Sequence, residues 1–143
     1  MEKVKNILVP TDGSDCSSRA AELGISLGKI LGARIFVIYA IDPVILEQLT
    51  KGLEKKGVER ELKEKGQTYL NYVVKLAEKE GLKAEAILAK GEPHDQIVQF
   101  AKSKGVNMIV MGTYGRRGMK RILIGSVTER VIEYAPCPVL VVR

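Results

Sequence analysis

Residues 107–126 read NMIVMGTYGRRGMKRILIGS. The opening run, NMIVM, is short, almost wholly apolar and of strand length, as expected for a strand buried on both faces. Backbone freedom and positive charge then arrive together. Gly112, Gly115 and Gly125 lead to Ser126, and Arg116, Arg117, Lys120 and Arg121 lie between them. Helical spacing resumes from about residue 126 to 134. Buried strand, glycine-rich turn and helix form the repeating unit of a parallel α/β sheet.

The same unit recurs outward in both directions. Residues 4–10, VKNILVP, form a strand that Pro10 ends. Thr11, Asp12, Gly13 and Ser14 are turn and cap residues, and Asp12, Ser14 or Asp15 can serve as the N-cap of a helix over 16–31. Gly24 and Gly28 fall inside that helix, where each costs roughly 1 kcal/mol relative to Ala, so close packing on a sheet is expected. Residues 34–41, RIFVIYAI, are a second strand by β-branched and aromatic content. Residues 83–89 are a third strand, a helix over 93–104 starts at Pro93, and Val139–Val142 form a fifth strand. Residues 42–66 are the least regular. Ile45, Leu46, Leu49 and Leu53 recur at helical spacing, but Gly52, Gly57 and Gly66 interrupt. The reading there is a mobile helical excursion, followed by a firm helix over 67–80. Together these elements predict one doubly wound α/β domain with helices on both faces of a parallel sheet.

Composition narrows the function. The 143 residues are 45% hydrophobic and 28% charged, which suits one soluble core. No apolar run approaches the ~20 residues that span a bilayer, so no membrane partner is expected. The N-terminal MEKVKNILVP has no apolar h-region, and the expected location is the cytoplasm. Cys16 and Cys137 fit no ligand spacing and are read as reduced thiols; with one histidine, a zinc site is not expected. The net charge of +6 favours an anionic partner. Aromatics are 5% and do not cluster with the cations, so a nucleic-acid face is not expected. Lys and Glu concentrated over 51–80 read as a solvated helix face.

In a doubly wound sheet the ligand sits beyond the carboxyl ends of the strands, where strand order reverses. A reversal between the first and fourth strands would bring Pro10, Thr11, Asp12 and Gly13 opposite the glycine-rich loop. Gly112 and Gly115 would then let backbone approach a ligand, and Gly125 and Ser126 would open a helix. The N–H groups of Ser126, Val127 and Thr128 favour phosphate there, and the Ser126 and Thr128 hydroxyls add donors. The plain alternative is an ordinary glycine-rich turn with nothing bound. From the residues alone, Asp12 reads first as a cap, the four loop cations as solvated, His94 as structural and Cys137 as packing. Cys16, near a helix start, would have a lowered pKa. Tyr114 covers a ligand or faces water.

The segment fits G-x2-G-x9-G-[S/T] at Gly112, Gly115, Gly125 and Ser126. It resembles the nucleotide-binding signature of the universal stress protein family, in its ATP-binding branch. NILVPTDGSDCS, GEPHDQIVQFAKSKGVNMIVMGTYG and GSVTERVIEYAPCPVLVV resemble other blocks of that family, so the likeness covers nearly the whole chain. The resemblance implies a five-stranded sheet in order 3-2-1-4-5 and an ATP site between strands one and four. It implies Asp12 at the adenosine, with Pro10 and Thr11 beside it, and Ala40 and Ile41 at the adenine. Gly112 and Gly115 would lie along the ribose and phosphates. Gly125, Ser126, Val127 and Thr128 would hold the phosphates, with Mg2+ or Mn2+ carried mainly by the phosphates. An apolar edge strand at Val139–Val142 invites pairing, and the family resemblance points to a homodimer through it. Three functions compete: a nucleotide-binding regulatory module signalling by conformation, a slow ATP hydrolase or phosphoryl-transfer enzyme, and a dimeric adaptor that uses no nucleotide.

Overall fold

The first apolar run becomes strand β1 (Asn6–Pro10), buried from Ile7 onward. The computed structural model describes residues 3–52, 54–114 and 124–143. After β1 come α1 (Asp15–Leu31), β2 (Arg34–Ile41), α2 (Pro43–Leu49), α3 (Lys55–Lys79) and β3 (Ala84–Lys90). The chain continues through α4 (Pro93–Ser103), β4 (Met108–Gly112), α5 (Ser126–Tyr134) and β5 (Val139–Val142). The sheet is five-stranded, in order β3-β2-β1-β4-β5, and every neighbouring pair is parallel. This is the expected doubly wound arrangement.

Alternation along β1 and β2 divides the core into two layers. Ile7, Val9, Ile35 and Val37 pack with Ala20 and Ala21 of α1 and Leu70 and Val73 of α3. Leu8, Phe36 and Ile38 face the other way, against Ile97 and Ala101 of α4 and Val131 of α5. Each fully buried aliphatic side chain contributes roughly 1.5–3 kcal/mol relative to exposure. The expected close packing of α1 is present: a Cβ at Gly24 would lie 2.9 Å from Val9 Cγ2.

The stretch 42–66 differs from its sequence reading. It contains α2 and the first half of α3, a continuous 25-residue helix that begins at Lys55 rather than near 67. Asp42 ends β2 and caps α2, its Oδ1 accepting from Val44 N at 2.9 Å, with Pro43 in the first turn. The glycines within α3 are not interruptions. Gly57 faces open space, so it costs only helix propensity. Gly66 is buried beneath the Tyr39 ring, where a Cβ would lie 2.4 Å from Tyr39 Cδ1. A small residue is what lets α3 dock on β2.

Candidate functional site

The sheet opens where its order reverses. β1 and β4 are in register at Ile7↔Met108 and Leu8↔Ile109, yet the strands continue to Pro10 and Gly112. Beyond that register each strand follows its other neighbour. Thr11 N donates to Ile38 O of β2 at 2.9 Å, and Thr113 N donates to Val142 O of β5 at 2.8 Å. The two halves of the sheet part between these bonds, leaving a cleft of about 600 Å³. That lies within the range of small-molecule sites.

Pro10, Thr11 and Asp12 line this cleft from the first turn, with Ala40 and Ile41 from the end of β2. Gly112 lines it from β4, and Gly125, Ser126, Val127 and Thr128 from the start of α5. Tyr114 is also a lining residue, whereas His94 is not. Of the expected set, Gly115 lies outside the described residues, as do Gly118, Arg116, Arg117, Lys120 and Arg121.

The first turn is held from within. Ser14 is the N-cap of α1, its Oγ accepting from Ser17 N at 3.1 Å. Asp12 Oδ1 accepts from Ser14 N at 2.9 Å, and Thr11 Oγ1 accepts from Gly13 N at 3.3 Å. Of the candidate caps, Ser14 therefore takes the role, and Asp12 braces the turn while lining the cleft.

The opposite turn is stitched to its strand. Gly125 N donates to Thr113 O at 2.6 Å, and Thr128 Oγ1 donates to Gly112 O at 2.8 Å. The Thr128 hydroxyl proton is thus engaged within the protein. The first turn of α5 has no intrahelical acceptor for its leading N–H groups, and Gly125 at the N-cap has no side chain to supply one. Ser126 is exposed beside it. The crowding at these glycines is with protein: a Cβ on Gly112 would lie 2.9 Å from Cys16 Sγ, and one on Gly125 3.2 Å from Tyr114 Cα. Their smallness lets β4, α1 and the start of α5 close on one another.

Cys16 packs below this junction, its Sγ 3.5 Å from Thr113 Oγ1 and donating to Val142 O at 3.2 Å. Burial raises its pKa, but hydrogen bonds from the Thr113 side chain and the Tyr114 and Thr113 backbone, with the Arg19 charge, bring it below the ordinary thiol value. Burial alone raises that of Cys137.

Another wall was not foreseen. Leu62, Lys65 and Tyr69 of α3 line the cleft, joined by Ile45 and Leu49 of α2. The α3 residues stand at i, i+3 and i+7, one helical stripe, and that spacing was the signal available in the sequence. The Tyr69 ring lies 5.9 Å from Tyr39 and covers Gly13, where a Cβ would be 2.2 Å from Tyr69 Cζ. Among the described residues no cluster of His, Cys, Asp and Glu is able to hold a metal ion by itself. None of the described helices is long and apolar enough to cross a membrane.

A doubly wound domain with its cleft at the reversal of strand order is an α/β fold of the kind that takes ligands at the carboxyl edge of its sheet. The chain belongs to the universal stress protein family, whose sequence profile matches residues 3–143. Universal stress protein MJ0531 of Methanocaldococcus jannaschii is 44% identical, over 97% of this chain and 82% of its own length. The solved structure of MJ0577, from the same organism, superposes with a TM-score of 0.87 at 31% identity, covering 99% of this chain and 96% of the other. A universal stress protein from Archaeoglobus fulgidus, solved in complex with dAMP, is 27% identical with a TM-score of 0.71, covering 99% of this chain and all of its own.

Proposed function

We propose that this chain is an adenine-nucleotide-binding regulatory domain that takes ATP in the cleft between β1 and β4 and signals by conformation as a homodimer. One observation carries the reading: Pro10–Asp12, Ala40, Ile41, Gly112 and Gly125–Thr128, separated in sequence, line a single cleft of about 600 Å³ with an uncapped helix start on its wall. Ala40 and Ile41 offer an apolar contact for adenine, and Asp12 offers carboxylate oxygens to the ribose hydroxyls. The N–H groups of Ser126, Val127 and Thr128 offer donors and the positive end of a helix to phosphate. The dAMP complex of the Archaeoglobus fulgidus relative supports an adenine ligand on this fold.

The donor set favours phosphates over a protein-held cation. Mg2+ or Mn2+ would therefore arrive on the phosphates, with Asp12 the carboxylate that the first turn brings to the cleft. Asp12 Oδ1 already braces Ser14 N, which suits a binding and positioning role better than activation of water. The edge position of β5, which among the described residues pairs only with β4, supports dimerisation through Val139–Val142.

The test is to denature freshly purified protein and identify what it releases by chromatography and mass spectrometry. Near-stoichiometric adenine nucleotide is expected. Protein that releases none, and that shows no heat of binding with millimolar ATP and Mg2+, would overturn the reading in favour of a nucleotide-free adaptor. Sustained phosphate release at several turnovers per second would instead favour the phosphoryl-transfer enzyme.

A further inference from the structure

The α3 stripe brings a charge to the cleft. Among the described residues that line it, the ionised side chains are Asp12, Asp42 and Lys65. Two carboxylates beside one cation are a poor match for an anionic ligand unless that cation is used. Lys65 is also placed differently from nearby lysines. Lys90 pairs with Glu59 at 2.6 Å and Lys55 approaches Glu47 at 4.0 Å, whereas Lys56, Lys63 and Lys65 make none of the ion pairs found among the described residues, and of these three only Lys65 lines the cleft.

Its position is set by its neighbours. Gly66, the next residue, is pressed beneath the Tyr39 ring, and Tyr69, one turn further along, is seated on Gly13 of the acidic turn. The Tyr39 and Tyr69 rings contact one another at 5.9 Å. These seats fix both the rotation and the height of α3 against β2, so the stripe of Leu62, Lys65 and Tyr69 faces the cleft. A lysine is a mobile point charge on a flexible stem, suited to an anion that extends from a rigidly held ring system.

We propose that Lys65 is a further binding residue of this cleft: its ammonium contacts the phosphate groups of the bound nucleotide from the α3 side, opposite the start of α5. The assignment rests on the nucleotide reading above. It makes α3 a working wall of the site and not merely a surface excursion, with Tyr39 and Tyr69 as positioning residues.

Calorimetric titration of wild type, Lys65→Ala and Lys65→Arg with ATP, ADP, AMP and adenosine, all with Mg2+, tests it. Lys65 is exposed, so matching thermal melts are expected for all three proteins. Loss of one charge-assisted contact should weaken ATP binding by about tenfold. Adenosine binding should be unchanged, and Lys65→Arg should retain most of the ATP affinity. Raised salt should narrow the difference between wild type and Lys65→Ala. If wild type binds ATP and Lys65→Ala keeps the same ATP-to-adenosine affinity ratio, the role of Lys65 is overturned and the nucleotide reading stands. If wild type binds no adenine ligand, both fall together.

Discussion

On one side of the cleft the chain is fastened by polar stitches: Gly125 N to Thr113 O, and Thr128 Oγ1 to Gly112 O. On the other side it rests on rings, with Tyr39 over Gly66 and Tyr69 over Gly13. The stitched side joins β4 to the helix that follows it. The aromatic side joins α3 to β2 and to the turn after β1, across long separations in sequence. Glycine is needed on both sides because the protein comes close to itself there, and that closeness shapes the space left for a ligand. Glycines near a site thus report first on protein packing and only through it on binding.

The sharpest way to break the aromatic side is Gly13→Val. Gly13 has φ +82, and its absent Cβ points at the Tyr69 ring. Backbone strain and overpacking together should cost about 3 kcal/mol in urea denaturation. In a Tyr69→Ala background only the backbone part, about 1–2 kcal/mol, should remain. An unchanged cost there would mean that the ring is not what crowds this position.

Gly66→Ala should cost about 1–2 kcal/mol, since the overpacking against Tyr39 exceeds the ~1 kcal/mol that Ala gains over Gly in a helix. With Tyr39→Ala already present, the sign should reverse and Gly66→Ala should stabilise. A double-mutant cycle measures this directly. Additive effects would show that Gly66 is only a tolerated flaw in α3.

On the stitched side, Thr128→Val keeps the shape and removes the donor. The Gly112 carbonyl would lose its partner in a buried setting, and stability should fall by about 1 kcal/mol. Because the first-turn N–H groups of α5 remain, ATP affinity should fall less than it does in Lys65→Ala. A larger affinity loss in Thr128→Val would move the weight of phosphate binding from α3 to the β4–α5 junction.

Most of the fold was legible because its signals are local. Apolar runs such as NILVP and NMIVM, each followed by turn residues, identify buried parallel strands without tertiary information, and Gly32 and Gly105 mark helix ends. The cleft's first turn was legible because it lies directly after β1, and its α5 side because Gly125 and Ser126 mark a helix start. The choice of Ser14 as N-cap was not legible, because Asp12, Ser14 and Asp15 are all competent caps and only the path of the turn selects one. The α3 wall was hidden because Gly66 reads as a helix break until its partner, Tyr39, is placed against it. The Leu62, Lys65, Tyr69 stripe was present in the spacing but had no known face to point to. Nor does sequence show that Gly112 is small for Cys16, a contact made across 96 residues and visible only once α1 lies on β4.

The most direct test of the account is a crystal structure of this protein grown with ATP and Mg2+. The expected result is the adenine against Ala40 and Ile41, the phosphates at the start of α5, and the Lys65 ammonium within hydrogen-bond reach of a phosphate oxygen. Nucleotide bound elsewhere on the molecule, or phosphates turned away from α5 with α3 untouched, would contradict it.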